Sequence, residues 1–293
     1  TVAATLLKEA TPKNLYLVFI DTGLLRSYDL SDLKKVAKAV KFENFKTVNA
    51  SKRFLSTLKE VVDPEEKRKV IAKLYFKVLE EEASKIGKAQ AASDAVKFLG
   101  QGTIYPDRVE SAKTSKHADK IKSHHNVTLP EGLKFELVEP LADLYKDEVR
   151  RLGALLNIPN DFLWRHPFPG PGLAIRILGE VTEERLNILR QVDEIFISEL
   201  KASNLYNKEA QSFAALMHIK SVGVMGDVRT YSYIVSLRSV ETQDFMTADW
   251  SKLPYDLLEK VSTRIVNEVR GVNRVDHRRW CHRPYADLPH HRH

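Results

Sequence analysis

Two patterns of apolar residues take turns along the first half of the chain. Leu15 to Ile20, LYLVFI, is an unbroken apolar run of strand length that stops at Asp21, Thr22 and Gly23. Such a run predicts a strand buried on both faces of a parallel sheet. FKTVNA, from Phe45 to Ala50, reads as a second strand and is followed by Ser51; VKFLGQGT reads as a third that turns at Gly100, and LKFELVEP as a fourth that stops at Pro140. Between these runs the apolar spacing lengthens to three or four. TVAATLLKEA is an amphipathic helix with Val2, Leu6 and Leu7 on one side, and Ser31 is expected to cap a short helix through about Val40. The clearest helix start is Asp63 as N-cap, Pro64 at the first helical position and Glu65 and Glu66 in the first turn, ahead of Val70, Ile71, Leu74, Val78 and Leu79. A further helix is expected from about Leu144 to Leu156. Strands alternating with helices predict an α/β fold whose parallel sheet is covered on both sides, with ligands beyond the carboxyl ends of the strands. Asp21, Ser51, Gln101 to Asp107 and Glu139 are therefore expected to face one cleft.

The pattern changes after RHPFPGPGLAIR, Arg165 to Arg176, which holds three prolines and two glycines in twelve residues. Each proline lacks an N–H and fixes φ, so this stretch predicts a stiff, shaped loop carrying cations. Beyond it, Thr182 caps a long helix through about Ser203, SFAALMHIKSVGVM and RTYSYIVSLRSV form a β-hairpin, and a helix from Tyr255 to about Val269 ends at Gly271. This reads as a smaller α+β module, with the boundary near Arg176. Tyr231 and Tyr233 share one face of a strand and read as core or interface, while His218 reads as a packed or solvated histidine.

Composition narrows the picture modestly. At 293 residues with 43% hydrophobic content the chain can hold one large or two medium domains. A net charge of +7 from 46 basic and 39 acidic residues is a mixed surface and not a basic arm, which favours anionic small molecules over nucleic acid. The single Cys281 excludes a disulfide scaffold and fits a reducing cytoplasm. No apolar run approaches the ~20 residues of a membrane helix, so no membrane partner is expected.

Three loops combine polar side chains with turn chemistry at the expected cleft. GQGTIYPDRVES supplies Gln101, Gly102, Thr103, Asp107, Glu110 and Ser111; Asp107 follows a proline, where an extended backbone can aim a carboxylate at a metal ion. KIKSHHNV supplies Lys120, Lys122, His124 and His125, the adjacent histidines facing opposite ways on an extended segment and so ill suited to one metal. The proline-rich loop supplies Arg165, His166 and Arg176. Cations converging on a cleft beside carboxylates describe a site for phosphates with a divalent metal.

Taken together, DPEEKRK, GQGTIYPD, IKSHHNV, RHPFPGPGLAIR, SVGVMGD and VETQDFMTADW resemble the synthetase part of the GMP synthase family, a resemblance that runs in order from Thr1 to about Val275. The resemblance implies an ATP-pyrophosphatase (adenine nucleotide alpha hydrolase-like) domain over 1–176, a dimerisation and XMP-binding domain over 177–275, and a divergent His-rich tail over 276–293. It implies adenylation of XMP by Mg–ATP and amination by ammonia from a glutaminase domain, in a cytoplasmic homodimer. On its motifs Lys122 and Asp107 are the expected catalytic residues, with Asp107 expected on Mg2+. Asp21, Gln101, Gly102, Thr103, Arg165 and His166 join them around ATP, and Arg68, Asp227 and Arg176 are expected at XMP. Arg165 to Arg176 is the expected hinge between the two domains. A non-catalytic dimerisation and partial nucleotide-binding module is the competing reading.

Three departures from that pattern carry expectations of their own. The family's Ser- and Gly-rich phosphate loop and its glutaminase domain do not occur among these residues, so a chain starting at Thr1 is expected neither to hydrolyse glutamine nor to hold ATP well. Val228 replaces a glycine in what reads as a two-residue turn, where a β-branched residue costs on the order of 1 kcal/mol or forces another turn type, displacing Asp227. After Val275 the family's final strand and Lys-Pro-Pro segment give way to DHRRWCHRPYADLPHHRH, read as a basic tail without regular metal-ligand spacing.

Overall fold

The computed structural model describes residues 1–89, 96–111, 135–225, 228–241 and 249–277. These divide into two compact units. One holds residues 1–57 and 68–165, the other 58–67 and the residues from His166 onward, so the change of unit falls inside the proline-rich stretch, upstream of Arg176.

In the N-terminal unit, α1 (Val2–Ala10) is followed by β1 (Tyr16–Asp21), α2 (Asp29–Ala39), β2 (Asn44–Asn49), α3 (Ser51–Thr57) and α4 (Pro64–Ala89), whose first turn belongs to the other unit. Then come β3 (Phe98–Gly100), α5 (Tyr105–Ser111), β4 (Glu136–Val138), α6 (Lys146–Leu155) and α7 (Asn160–Leu163). Two parallel pairs form, β1 with β2 from Tyr16↔Asn44 to Asp21↔Asn49, and β3 with β4. The fold is mixed α/β with parallel strands, but among the described residues the expected continuous sheet is two separate pairs. Nor is β1 buried on both faces: only Ile20 is enclosed, and β2 beside it exposes Lys46, Thr47 and Asn49. Val2, Ala3, Leu141 and Ile158 form a small core onto which Leu6, Leu152 and Leu163 pack.

Two helix starts differ from expectation. Ser31 does not cap α2; it lies inside the helix and its hydroxyl donates back to the Tyr28 carbonyl at 2.9 Å. The entry to α2 is held instead by Asp29, whose carboxylate accepts from the Arg26 N–H at 2.9 Å and from Arg26 Nε at 3.1 Å. At α4 the sequence signal holds: Asp63 Oδ1 accepts from the N–H groups of Glu65 and Glu66, both at 2.9 Å.

The C-terminal unit begins with a short 3-10 turn (Gly172–Arg176) and continues with α8 (Glu183–Ala202), β5 (Gln211–Met225), β6 (Val228–Glu241), β7 (Asp249–Trp250), α9 (Tyr255–Glu268) and β8 (Val272–His277). Thr182 caps α8 by accepting from the Arg185 N–H. Leu186, Leu189, Val192, Phe196 and Leu200 are fully enclosed at helical spacing, and α8 packs on β5. β5 and β6 form the expected antiparallel hairpin, irregular between Leu216 and Lys220, while β6 also pairs with β7 and, in parallel, with β8. Tyr233 is in the core, whereas Tyr231, two residues further out, is 67% exposed beside exposed Val222.

Val228 does not occupy the turn. It opens β6 opposite Met225, while Gly226 and Asp227 lie outside the described residues. The final strand also runs past Val275: Asp276 and His277 pair with Ser236 and Leu237. The rest of the expected tail lies outside the described residues. No described helix is long and apolar enough to cross a membrane.

Candidate functional site

The carboxyl ends of β1 and β2 come together as a parallel register requires, with Asp21 opposite Asn49. Asp21 Oδ1 accepts from the Gly23 N–H at 2.9 Å, and the Asp21 carbonyl accepts from the Ala50 N–H at 2.9 Å. Gly23 has φ +73°, and a Cβ there would lie 2.7 Å from Ser51 Cβ, so both backbone conformation and space demand glycine. Ser51 donates from Oγ to Asn49 Oδ1 at 2.7 Å. Residues Asn49 to Arg53 line a cavity of about 250 Å³ at this strand end.

At the ends of β3 and β4 the backbone of Gln101 continues the ladder, its N–H donating to Val138 O at 2.9 Å. Its side-chain Oε1 is buried with no hydrogen-bond partner among the described residues, an acceptor turned to no protein donor. Around Gly102 there is open space. Thr103 is fully buried and its hydroxyl donates to Glu139 Oε1 at 2.5 Å. Asp107 does not sit on extended backbone. It lies in the first turn of α5, where Oδ2 accepts from the Ile104 N–H at 3.0 Å, because an acidic residue placed there completes an otherwise open helix end. Lys146, at the start of α6, feels the Asp107 charge; burial and the Arg150 cation push its ammonium down to about 8. Thus Asp21 meets Ser51, and Gln101, Thr103, Asp107 and Glu139 gather at neighbouring strand and helix ends.

The cations of the proline-rich stretch turn inward. Arg165 pairs with Asp29, which is 7% exposed and also bound by Arg26. His166 is buried and stacks on Tyr206 with ring centroids 3.8 Å apart. Its Nδ1 accepts from the Ser212 N–H at 3.1 Å, which leaves Nε2–H to donate to the Tyr206 carbonyl at 2.7 Å, the pattern of a neutral imidazole. Arg176 is 5% exposed, lies 4.4 Å from the Phe213 ring centroid and pairs at 3.5 Å with Asp193, whose Oδ1 also accepts from the Ala214 N–H. The stretch is anchored through these side chains and through its backbone, where the His166 N–H donates to the Tyr206 hydroxyl and the Pro167 carbonyl accepts from Gln211.

Of the remaining expected residues, Arg68 is partly buried on α4 and bonded within the fold. Lys120, Lys122, His124, His125 and Asp227 lie outside the described residues, and the side chains of Glu110 and Ser111 are not described. Among the described residues no three His, Cys, Asp or Glu side chains gather as a metal cluster. A larger cavity of about 820 Å³ in the C-terminal unit, bordered by Trp250, Tyr255, Ser262 and His277, contains none of the expected site residues. Sequence reasoning missed Lys67, Lys146 and the buried Asp193. Lys67 had a visible signal, since it falls in the apolar stripe of α4 with Ile71, Leu74 and Val78.

Comparison with known proteins bears on this arrangement. Residues 198–279 match the family described as GMP synthase C terminal domain. The chain is 54% identical over 276 residues to a glutamine-hydrolysing GMP synthase of Fusobacterium nucleatum, covering 94% of this chain and 52% of that one. It is 52% identical to that of Thermotoga petrophila (94% and 54% covered) and 50% identical to that of Saccharomyces cerevisiae (94% and 52%). The chain therefore spans about half the length of the curated relatives it matches. Residues 198–279 are thus similar to the GMP synthase C-terminal domain, and nearly the whole length of the chain is similar to about half of a GMP synthase.

Proposed function

We propose that the protein carrying this chain makes GMP from XMP at the expense of ATP, and that these residues supply its nucleotide chemistry. The C2 oxygen of XMP attacks the α-phosphorus of ATP, the bond to the β-phosphate breaks and pyrophosphate leaves. Ammonia then attacks C2, the C2–O bond breaks and AMP departs. A carbonyl oxygen is a poor leaving group until it is adenylated, and nearby cations stabilise the charge that builds on the phosphates. The observation that carries this reading is the 54% identity to a GMP synthase along 94% of the chain.

In this reading Asp21, Gln101, Gly102 and Thr103 bound the ATP site at the strand ends, and Lys122 approaches the phosphates. Asp107 is the carboxylate assigned to Mg2+, which enters as the ATP complex; Mg2+ commonly takes one or two carboxylates together with phosphate oxygens. Arg165 and His166 act on the ATP site through the shape of their loop. Arg68, Asp227 and Arg176 are the residues proposed for XMP. Ammonia comes from a glutaminase domain, and the C-terminal module joins two copies, in a reducing cytoplasm.

The test is exchange of labelled pyrophosphate into ATP by the full-length protein. Exchange should require XMP and fall by about 100-fold in Asp107→Asn, the size expected for loss of a metal-binding or electrostatic group. Retained dimerisation and nucleotide binding without any exchange would favour a non-catalytic module instead.

A further inference from the structure

Lys67 is 1% exposed, an unusual place for a lysine. Its Nζ donates to three backbone carbonyls of one segment: Ala174 O at 3.1 Å, Ile177 O at 2.8 Å and Gly179 O at 2.5 Å. An ammonium has three N–H bonds, and this cradle offers three acceptors. Burial pushes the ammonium down to about 8, with the Arg185 guanidinium acting in the same direction and Asp63 against it. Carbonyl oxygens accepting from the charged form hold it up.

The cradle is built and not incidental. Gly179 has φ +107°, and a Cβ there would come within 2.8 to 2.9 Å of the His218 ring, so another residue could not place its carbonyl there without strain. Ala174 and Ile177 are themselves buried. An apolar residue would suit the stripe of α4 without the desolvation of a charge. What the lysine adds is direction. Three converging bonds fix the rotation of the first turn of α4 about its own axis.

Arg68 is the next residue of that helix, turned by about 100°. We propose that Lys67 is a positioning residue: seated in the 174–179 carbonyl cradle, it sets the phase of the first turn of α4 and thereby the direction in which Arg68 is presented to XMP. The clamp stands on the coordinates alone, whereas its link to XMP rests on the GMP-forming reading.

Both parts are tested on the full-length protein with Lys67→Met, which keeps the length of the side chain and removes its charge. Amide hydrogen exchange of peptides over 58–67 and 174–180 should speed up about tenfold or more, since three charge-assisted bonds are lost. In XMP-dependent pyrophosphate exchange, KM for XMP should rise about tenfold while KM for ATP and kcat stay within about threefold, a split that general loss of structure does not produce. Unchanged amide exchange would overturn the clamp, and an unchanged KM for XMP would overturn the positioning role. If the unsubstituted protein shows no XMP-dependent exchange, the GMP-forming reading and the positioning role fail, while amide exchange still decides the clamp. Should Lys67→Met not fold, Gly179→Ala decides: displacing one acceptor should raise KM for XMP about threefold with Lys67 in place. No change in that value would refute the role.

Discussion

Both units enclose charged pairs, Arg26 with Asp29 in one and Arg176 with Asp193 in the other, and they differ in what stands at their strand ends. In the C-terminal unit two side chains of the proline-rich stretch are spent inside: Arg176 on Asp193 and on the Phe213 ring, and the neutral His166 on Tyr206 and Ser212. The long α8 and the β5–β6 hairpin, whose ladder is irregular between Leu216 and Lys220, give that unit an extended core. The N-terminal unit has two separate parallel pairs, and it keeps polar groups at its strand ends, among them a buried Gln101 oxygen without a partner among the described residues. A residue type alone therefore does not reveal its use. An arginine beside prolines can be architecture, and a glutamine after a strand can be a binding group.

The comparison breaks first at Arg176. Arg176→Met would leave Asp193 charged and enclosed, and should destabilise the C-terminal unit by about 3–5 kcal/mol in urea unfolding. A stability close to that of the parent, with only XMP affinity lost, would move Arg176 from architecture to ligand contact. Gly23→Ala probes the other unit with a smaller effect. The new Cβ meets Ser51 on backbone at φ +73°, which should cost about 1–3 kcal/mol and weaken ATP binding, leaving C-terminal unfolding unchanged. Equal stability of the variant would show that the approach of Gly23 to Ser51 is loose. The smallest effect is at His277. Burial lowers its imidazole below the ordinary value, with Asp276 opposing, so between that lowered value and about 6.5 the unfolded chain holds a proton that the folded one lacks. Stability therefore climbs as pH rises through this window and is lost on acidification. His277→Gln should flatten that part of the curve between pH 7 and pH 5, and an unaltered slope would place the acid sensitivity elsewhere.

Where a signal is local, the sequence could be read directly. Asp63 with Pro64, Thr182 before α8 and Gly271 after α9 fall where their turn and cap chemistry puts them, and the hairpin follows from two apolar runs about a tight turn. Asp107 misled because a proline before it suggested extended backbone, whereas a proline also opens helices, as Pro106 does near the start of α5. The inward turn of Arg176 was hidden because its partner Asp193 belongs to another element and one of its two ring contacts, Phe213, lies on β5. Lys67 was half legible: a lysine in an apolar phase signals burial, but its acceptors are backbone carbonyls far along the chain, and a carbonyl has no letter in a sequence.

Strand β6 has one side against β5, which precedes it, while the other is completed by β7 and by the parallel β8, which arrives only after α9. During synthesis there must be an interval when the hairpin has emerged and β8 has not. For that interval an apolar strand offers an open row of amides to any neighbouring polypeptide on the same ribosome cluster. Expression yield should then depend on how quickly Val272 to His277 follow, which makes the closing strand a guard against clumping as well as a part of the finished sheet.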